Sequence, residues 1–339
     1  MSDSEPDLPD SQPPTRKNTS RANQLEGKQW LRNSISVWDD LRKTPAELKL
    51  KHPAAFPIAL AGRLIDSFLP PQGRTILDPF AGIGSTLVAA AERGLDAIGS
   101  DLSAEYCEIA RSRLADFAPA TTTRTQPVRG DGLQGHPGLD QIDLRHTSAQ
   151  DLLATLSPGS IDLCITSPPY WDVLNARRTA DAKPIRHYGN LARDLGTITD
   201  YEQFLDELQA VFASLLTVLK PGAYCCVVVM DLRKKDRFYP FHSDLAGRLT
   251  RIGYLWDDLI IWNRQAEYNN LRPLGYPAVF RINKVHEFVV VLQKARLKSK
   301  PAPTSARMKK SPTKSPTPKN SIRKNPAPQK PEPPSPSPK

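Results

Sequence analysis

The sequence predicts a doubly wound α/β fold, a mostly parallel sheet with helices on both faces. Short apolar runs alternate with helix-period segments from residue 74 to residue 262, and repeated β-α-β order favours parallel strands. The run AYCCVVVM (223–230) is apolar at every position, as a strand covered on both sides must be.

The elements read as follows along the chain. RTILDPF (74–80) is a short buried strand, and STLVAAAERG (85–94) is a helix ending at Gly94. DAIGSDL (96–102) is the next strand. SAEYCEIARSRLADF (103–117) is a helix with Ser103 placed to cap its first turn. A Gly/Pro/Thr-rich connection covers 118–142. IDLCITS (161–167) is a strand, and 172–198 is a long polar segment. DYEQFLDELQAVFASLLTVLK (200–220) is an amphipathic helix that Pro221-Gly222 stops. AYCCVVVM follows as a strand and SDLAGRLTRIG (243–253) as a helix. DDLIIW (257–262) and HEFVVVLQK (286–294) close the series as strands. No helix separates the last two, so they are expected to run antiparallel.

The two ends are expected to stay outside this core. The chain has 339 residues, and its hydrophobic share of 39% is low because both ends dilute it. Residues 1–28 hold almost no apolar cluster, and 296–339 are mainly Pro, Ser, Thr and Lys. Neither end buries enough surface to offset its ordering entropy. The expected organisation is a disordered segment 1–28, a domain 29–295, and a disordered basic tail 296–339. That tail carries twelve Lys/Arg against one acid, Glu332, and so accounts for the whole formal net charge of +10. A flexible basic tail attracts polyanions without specifying a sequence.

Composition also excludes several classes. Cys107, Cys164, Cys225 and Cys226 lie in apolar segments with no CxxC spacing, which argues for reduced buried thiols and against zinc or redox motifs. No metal site is expected. No stretch is long enough to span a membrane, and the acidic, Pro-containing start lacks the features of a signal peptide. The expectation is a soluble, intracellular protein.

Two stretches carry chemistry. LDPFAGIGST (77–86) is a strand, a Gly-containing turn and a helix start. That arrangement presents backbone N–H groups and a carboxylate at the carboxyl edge of a sheet, where ligands bind. It lacks GxGxxG, and no Lys follows the glycines, so phosphate cradles are weak readings. Asp78 would repel a phosphate and suits an ammonium group, while Asp101 at the end of the next strand suits a ribose diol. S-adenosyl-L-methionine carries both groups. The structural alternative is a capping Asp with two turn glycines.

The second stretch is TSPPYW (166–171). With LDPFAGIGST before it, the chain resembles the DNA amino-methyltransferases, which modify N4 of cytosine or N6 of adenine; the resemblance covers roughly 30–294. It implies a Rossmann-like class I methyltransferase fold, a mostly parallel seven-stranded sheet with an antiparallel last strand. It places Asp78, Pro79, Phe80, Ala81, Gly82, Gly84 and Ser85 around the cofactor, with Asp101 and Leu102 at the ribose. KHPAAFPIALAGRLI (51–65) looks like the family's additional cofactor segment, which brings in His52, Pro53 and Phe56. Many members carry Gly-Asp on the third strand, touching the adenine. This chain has HTSAQDL (146–152) there, so Ser148 or Asp151 is left for that contact.

An exocyclic amine is a poor nucleophile because its lone pair is delocalised into the ring. Acceptors aimed at its N–H bonds favour pyramidalisation, and the Ser167 hydroxyl and Pro168 carbonyl are such acceptors. Pro168 and Pro169 fix the backbone and remove competing donors, which preorganises the site. Tyr170 offers a stacking face for a flipped base, and Trp171 could extend it. No Pro-Cys pair exists, which separates the chain from C5-cytosine chemistry. In the resembling family Ser before Pro-Pro is more typical of cytosine N4 enzymes. A cytosine-N4 DNA methyltransferase is therefore the leading expectation. Adenine N6 methylation, an RNA amino-methyltransferase and an inactive, tail-driven DNA-binding protein are the alternatives.

DNA recognition is expected in three insertions. The first, 172–196, carries Arg177, Arg178, Lys183, Arg186, His187 and Tyr188. The second is RKKDRFYPFH (233–242), with Arg233 and Lys234. The third, 263–283, carries Asn269 and Arg272. His286 and Glu287 open a strand and are read as structural. KKSPTKSPTPK (309–319) resembles histone-H1-type tails and offers proline-directed phosphorylation sites, whose phosphates would weaken attraction to DNA. DNA is the expected partner, with a cognate restriction endonuclease as a second. The location is bacterial cytoplasm or nucleoid, or the nucleus of a eukaryote.

Overall fold

Eight strands form the main sheet of the computed structural model, which describes residues 21–50, 55–115, 142–172, 193–234, 236–268, 271 and 273–296. They are β1 (Val37–Trp38), β2 (Thr75–Asp78), β3 (Asp96–Asp101), β4 (Ile142–His146), β5 (Ile161–Thr166), β6 (Leu219–Val229), β9 (Tyr254–Asn263) and β10 (His286–Lys294). The two remaining strands, β7 (Leu232–Lys234) and β8 (Arg237–Tyr239), make a separate antiparallel hairpin. The sheet order is β1-β9-β10-β6-β5-β2-β3-β4. Every pairing is parallel except those of β10, which runs antiparallel to both β6 and β9. The reversed last strand and the doubly wound order match expectation. The seven strands expected become eight, because the two-residue β1 adds an edge beside β9.

Helices cover both faces. One core cluster packs α6 (Ala149–Ala154), α7 (Tyr201–Val218) and α8 (Phe241–Arg251) on the sheet. The other lies under α3 (Ile58–Phe68) and α4 (Ser85–Ala91). The buried positions of α7 are Tyr201, Phe204, Leu205, Leu208, Val211, Phe212, Leu215 and Val218, a stripe at helical spacing. Asp200 caps it by accepting from the Gln203 N–H at 2.8 Å. The four cysteines are buried and free.

Four expectations need correction. The helix over 200–220 ends at Val218, and Pro221-Gly222 lies inside β6. A register break opposite Ile161–Leu163 absorbs the extra residues there, and Gly222 takes φ +83°. The third strand is Ile142–His146, within and just after the expected connection, and HTSAQDL is its end plus α6, with Ser148 as N-cap. The basic stretch 233–242 contributes to the β7–β8 hairpin. The folded part also starts before residue 29. Asn23 is 5% exposed and donates to the Ser67 carbonyl at 2.9 Å, and Leu25 is buried just ahead of α1 (Gly27–Asn33).

The strand order reverses between β2 and β5, where Leu77 pairs with Cys164. Such a switch point opens a crevice at the carboxyl ends of its strands. Both chemistry-bearing stretches leave the sheet there. Gly84 tightens the turn after β2: it takes φ +78°, and a Cβ on it would lie 2.9 Å from the Ala110 Cβ in α5 (Ala104–Ala115). Gly84→Ala is therefore expected to cost about 1–2 kcal/mol in a left-handed position, read as a lower unfolding midpoint. Adding Ala110→Gly should restore the steric part of that loss. Among the described residues no helix is long and apolar enough to cross a membrane.

Candidate active site

Asp78 ends β2 and is 1% exposed. Its Oδ1 accepts from the Thr166 hydroxyl at 2.7 Å and the Phe80 N–H at 3.1 Å, and its Oδ2 accepts from the Thr86 hydroxyl at 2.7 Å. The carboxylate thus ties β2, β5 and α4 together under the turn. Burial pushes its pKa up to about 6, against the pull of those three bonds. The expectation that Asp78 faces a ligand ammonium group does not fit this geometry: the carboxylate is enclosed, and three donors of the fold already hold it.

The turn 79–84 rests on β3. The Ala81 N–H donates to the Ser100 carbonyl at 2.8 Å, and the Ser100 hydroxyl to the Pro79 carbonyl at 3.1 Å. Asp101, at the carboxyl end of β3, accepts from the Gly82 N–H at 2.9 Å and the Ser103 N–H at 2.8 Å, one on each oxygen. It is only partly buried, and burial raises its pKa. Each oxygen keeps spare lone pairs, the donor-accepting set that a pair of hydroxyls needs. Leu102 follows, its carbonyl 3.0 Å from His146 Nε2. Phe80 is half-buried; Ala81 and Ser85 are buried.

Phe56 is 6% exposed and shares a core cluster with Ala81. A second brace reaches the turn from below. Arg113, in α5, donates to the Ile83 carbonyl at 2.5 Å and lies 3.7 Å from Glu47. Glu47 is buried in α2 (Pro45–Leu48) and accepts from the N–H groups of Thr44 and Ile58, each at 2.8 Å. Ser148 and Asp151 bond to each other, and Arg193 pairs with Asp151. Both side chains left open for an adenine contact therefore have partners within the fold.

Ser167 leaves β5 beside this turn. Its hydroxyl donates to the Val228 carbonyl of β6 at 3.0 Å and lies 3.1 Å from the Tyr170 hydroxyl. Pro168 is buried, while Pro169 and Tyr170 are partly exposed. The Tyr170 hydroxyl donates to Glu287 Oε2 at 2.9 Å, and its ring meets Phe241 edge-on, centroids 6.4 Å apart. Burial first, then the Glu287 charge, hold the Tyr170 phenol well above its ordinary pKa. Glu287 is 4% exposed at the start of β10, and its other oxygen pairs with Arg264.

Trp171 departs from expectation. It takes φ +52° and is 5% exposed, packed against Tyr201 and Tyr239 with centroids 5.1 and 5.0 Å away. It anchors the motif to α7 and the hairpin instead of extending a stacking wall. Lys234 Nζ sits 3.9 Å from its ring centre and pairs with Asp172, so this side chain clamps the motif from the hairpin. Arg233 lies over Phe238 at 5.8 Å, and Lys284 over the same ring at 4.9 Å. His52, Pro53, Arg177, Arg178, Lys183, Arg186, His187, Tyr188, Asn269 and Arg272 lie outside the described residues.

Glu287, Arg264, Glu47 and Arg113 escaped the sequence reading as parts of the site. Glu287 had a signal: a charged residue at the head of the apolar run HEFVVVLQK demands a buried partner.

The chain matches the family model of the DNA methylases (N6_N4_Mtase) over residues 4–112 and 161–334. It is 38% identical over 76 residues to the orphan methyltransferase M.BamHII of Bacillus amyloliquefaciens, covering 22% of this chain and 28% of that protein. It is 37% identical over 93 residues to the type II methyltransferase M.MthZI of Methanothermobacter thermautotrophicus, covering 26% of this chain and 25% of that one. The chain spans about a quarter of the length of these curated relatives. Among solved structures, TTHA0409 of Thermus thermophilus, complexed with S-adenosyl-L-methionine, aligns over 46% of this chain and 56% of that one, with 28% identity and a TM-score of 0.31.

Proposed function

The chain belongs to the DNA methylase family, and from that premise we propose that it transfers a methyl group from S-adenosyl-L-methionine to N4 of cytosine in DNA. The Ser167 hydroxyl carries the reading. Its proton is committed to Val228 at the switch-point edge, so its lone pairs are left to accept from a target amine. Pro168 and Pro169 bring no N–H to compete, and the Pro168 carbonyl is a second acceptor.

For the cofactor, Phe80, Gly82 and Gly84 would shape the turn against it, and Asp101 with Leu102 would take the ribose. The Asp101 donor set fits a diol, since each oxygen has one bond and spare lone pairs. Asp78 serves the site from beneath, by fixing the turn. When bound, S-adenosyl-L-methionine supplies a methyl group on a sulfonium sulfur and departs as a thioether. Ser167 and Pro168 hold the amine for in-line attack, and its lost proton passes to water.

Connectivity supports a DNA-facing carboxyl edge. The hairpin follows β6, and residues 264–285 join the end of β9 to the start of β10, so both segments leave from the Ser167 edge. They carry Arg233, Arg237, Arg281 and Lys284, of which Arg233 and Lys284 share the Phe238 ring, and Phe280, which is 91% exposed. We also propose DNA contacts for Arg177, Arg178, Arg186, Tyr188, Asn269 and Arg272. A restriction endonuclease reading the same sequence is the proposed partner, inside the cell.

Nucleoside mass spectrometry of DNA treated with the purified protein and S-adenosyl-L-methionine tests this. N4-methylcytosine is expected. N6-methyladenine alone would overturn the base assignment, and no transfer to any DNA would overturn the activity.

A further inference from the structure

We infer that Glu287, held by Arg264, is a positioning residue for methyl transfer: it draws the Tyr170 phenol proton away from Ser167 and so keeps the Ser167 oxygen an acceptor. This rests on the role proposed for Ser167.

The Tyr170 phenol has one proton and three oxygens within reach. Glu287 Oε2 lies at 2.9 Å, Ser167 Oγ at 3.1 Å and the Val228 carbonyl at 3.4 Å. A carboxylate takes that proton in preference to a neutral hydroxyl or carbonyl, because charge-assisted bonds are the stronger ones. The Ser167 proton has its own partner in Val228 at 3.0 Å. With both protons turned away, no donor among the described residues points at Ser167 Oγ. If Glu287 lost its charge, the phenol would be free to turn to Ser167 and compete with the N–H bonds of an incoming amine.

The carboxylate has a cation on its far side. Arg264 pairs with its Oε1, while the Arg264 Nη2 and Nε also donate to Glu267 Oε2 at 2.9 and 3.2 Å. The guanidinium lies 4.8 Å from the Trp262 ring centre and 5.7 Å from that of Tyr268. Burial opposes its charge, but the acidic groups around it keep its pKa above the ordinary value. A buried ion pair seldom adds stability over apolar packing, so its place against the motif Tyr is better accounted for by positioning. None of these bonds excludes base stacking on the Tyr170 ring, since they engage only its hydroxyl.

A double-mutant cycle on the full chain tests the inference, using Glu287→Gln, Tyr170→Phe and the pair. Glu287→Gln is expected to lower kcat roughly 10–100-fold with cofactor affinity held within about twofold, and Tyr170→Phe to lower it less, because the competing proton leaves with the hydroxyl. The pair should return to the level of Tyr170→Phe alone, because Glu287 acts through the hydroxyl that Tyr170→Phe removes. Additive losses, or full activity in Glu287→Gln, would overturn it. Should Glu287→Gln fold poorly, Glu287→Asp, which keeps a carboxylate beside Arg264 but draws it back from the phenol, must show a loss in kcat that adding Tyr170→Phe relieves.

Tyrosine ring-carbon NMR gives a readout independent of turnover. The Tyr170 resonance, assigned by its absence in Tyr170→Phe, should move in Glu287→Gln while the other tyrosines stay put. An unmoved resonance overturns the bond itself. If the wild type transfers no methyl group but the resonance moves, the assigned activity fails and the bond survives.

Discussion

Ser167→Ala is expected to lower kcat for methyl transfer to DNA roughly 10²–10³-fold, with cofactor affinity changed by less than about twofold, the size of loss seen when one preorganised transition-state contact is removed. Alanine removes the acceptor without disturbing Pro168 or Pro169. It also deletes one donor to the Val228 carbonyl, a loss of about 1 kcal/mol. The fold should therefore survive, and KM for DNA should move little. The amine would keep the Pro168 carbonyl as its sole acceptor, and its lone pair would stay largely in the ring. Single-turnover transfer of labelled methyl, beside calorimetric titration with S-adenosyl-L-methionine, reads both quantities. A rate within about threefold of wild type would remove Ser167 from the mechanism, since even a modest preorganised contact exceeds that.

The second large effect is on stability and follows from Asp78. Its pKa rises from the ordinary 3.8 to about 6 on folding. The folded state therefore binds this proton more tightly than the unfolded chain does. The resulting stabilisation is complete below about pH 4 and is lost as pH rises through 6, for a total of about 3 kcal/mol. Asp78→Asn has no proton to lose. Its stability relative to wild type should thus improve by about 2.5 kcal/mol between pH 4 and pH 7.5, whatever constant offset the amide introduces. Other carboxylates cancel in the comparison, because both proteins share them. Urea unfolding midpoints of the two proteins across that range decide it. A difference that stays flat would mean that Thr166, Thr86 and the Phe80 N–H keep Asp78 ionised throughout.

Much of this molecule was legible because its signals are local. The turn DPFAGIG, the motif SPPY, the stripe of α7 and the run of β10 each announce themselves within about twenty residues. β4 did not, because IDLRH is short, half charged and preceded by a Gly-rich stretch. The end of α7 was misplaced because Pro-Gly usually stops a helix, whereas here the chain had already left it and carried the pair into β6. Asp78 shows the deeper limit. Its spacing within the turn suits an outward carboxylate, yet its nature is set by Thr166, 88 residues away. Glu287 shows the same limit, since it meets Tyr170 across 117 residues. Contacts at such separations are made by the fold, and no window of sequence contains both partners.

The reversed strand β10 bears on how the protein is made. It is the last described strand in the chain, yet it lies inside the sheet, between β6 and β9. A ribosome must deliver residue 294 before that slot can be filled. Until then a nascent chain holds β6 with a bare edge, a state that invites mispairing and the attention of chaperones. The wait also governs competence. Glu287 arrives only with β10, so the Tyr170 phenol lacks its carboxylate acceptor on any shorter translation product. A half-made chain that already displayed the turn 79–84 would still lack the Glu287 bond to Tyr170, and under the proposed mechanism full activity would come only with synthesis of the whole domain.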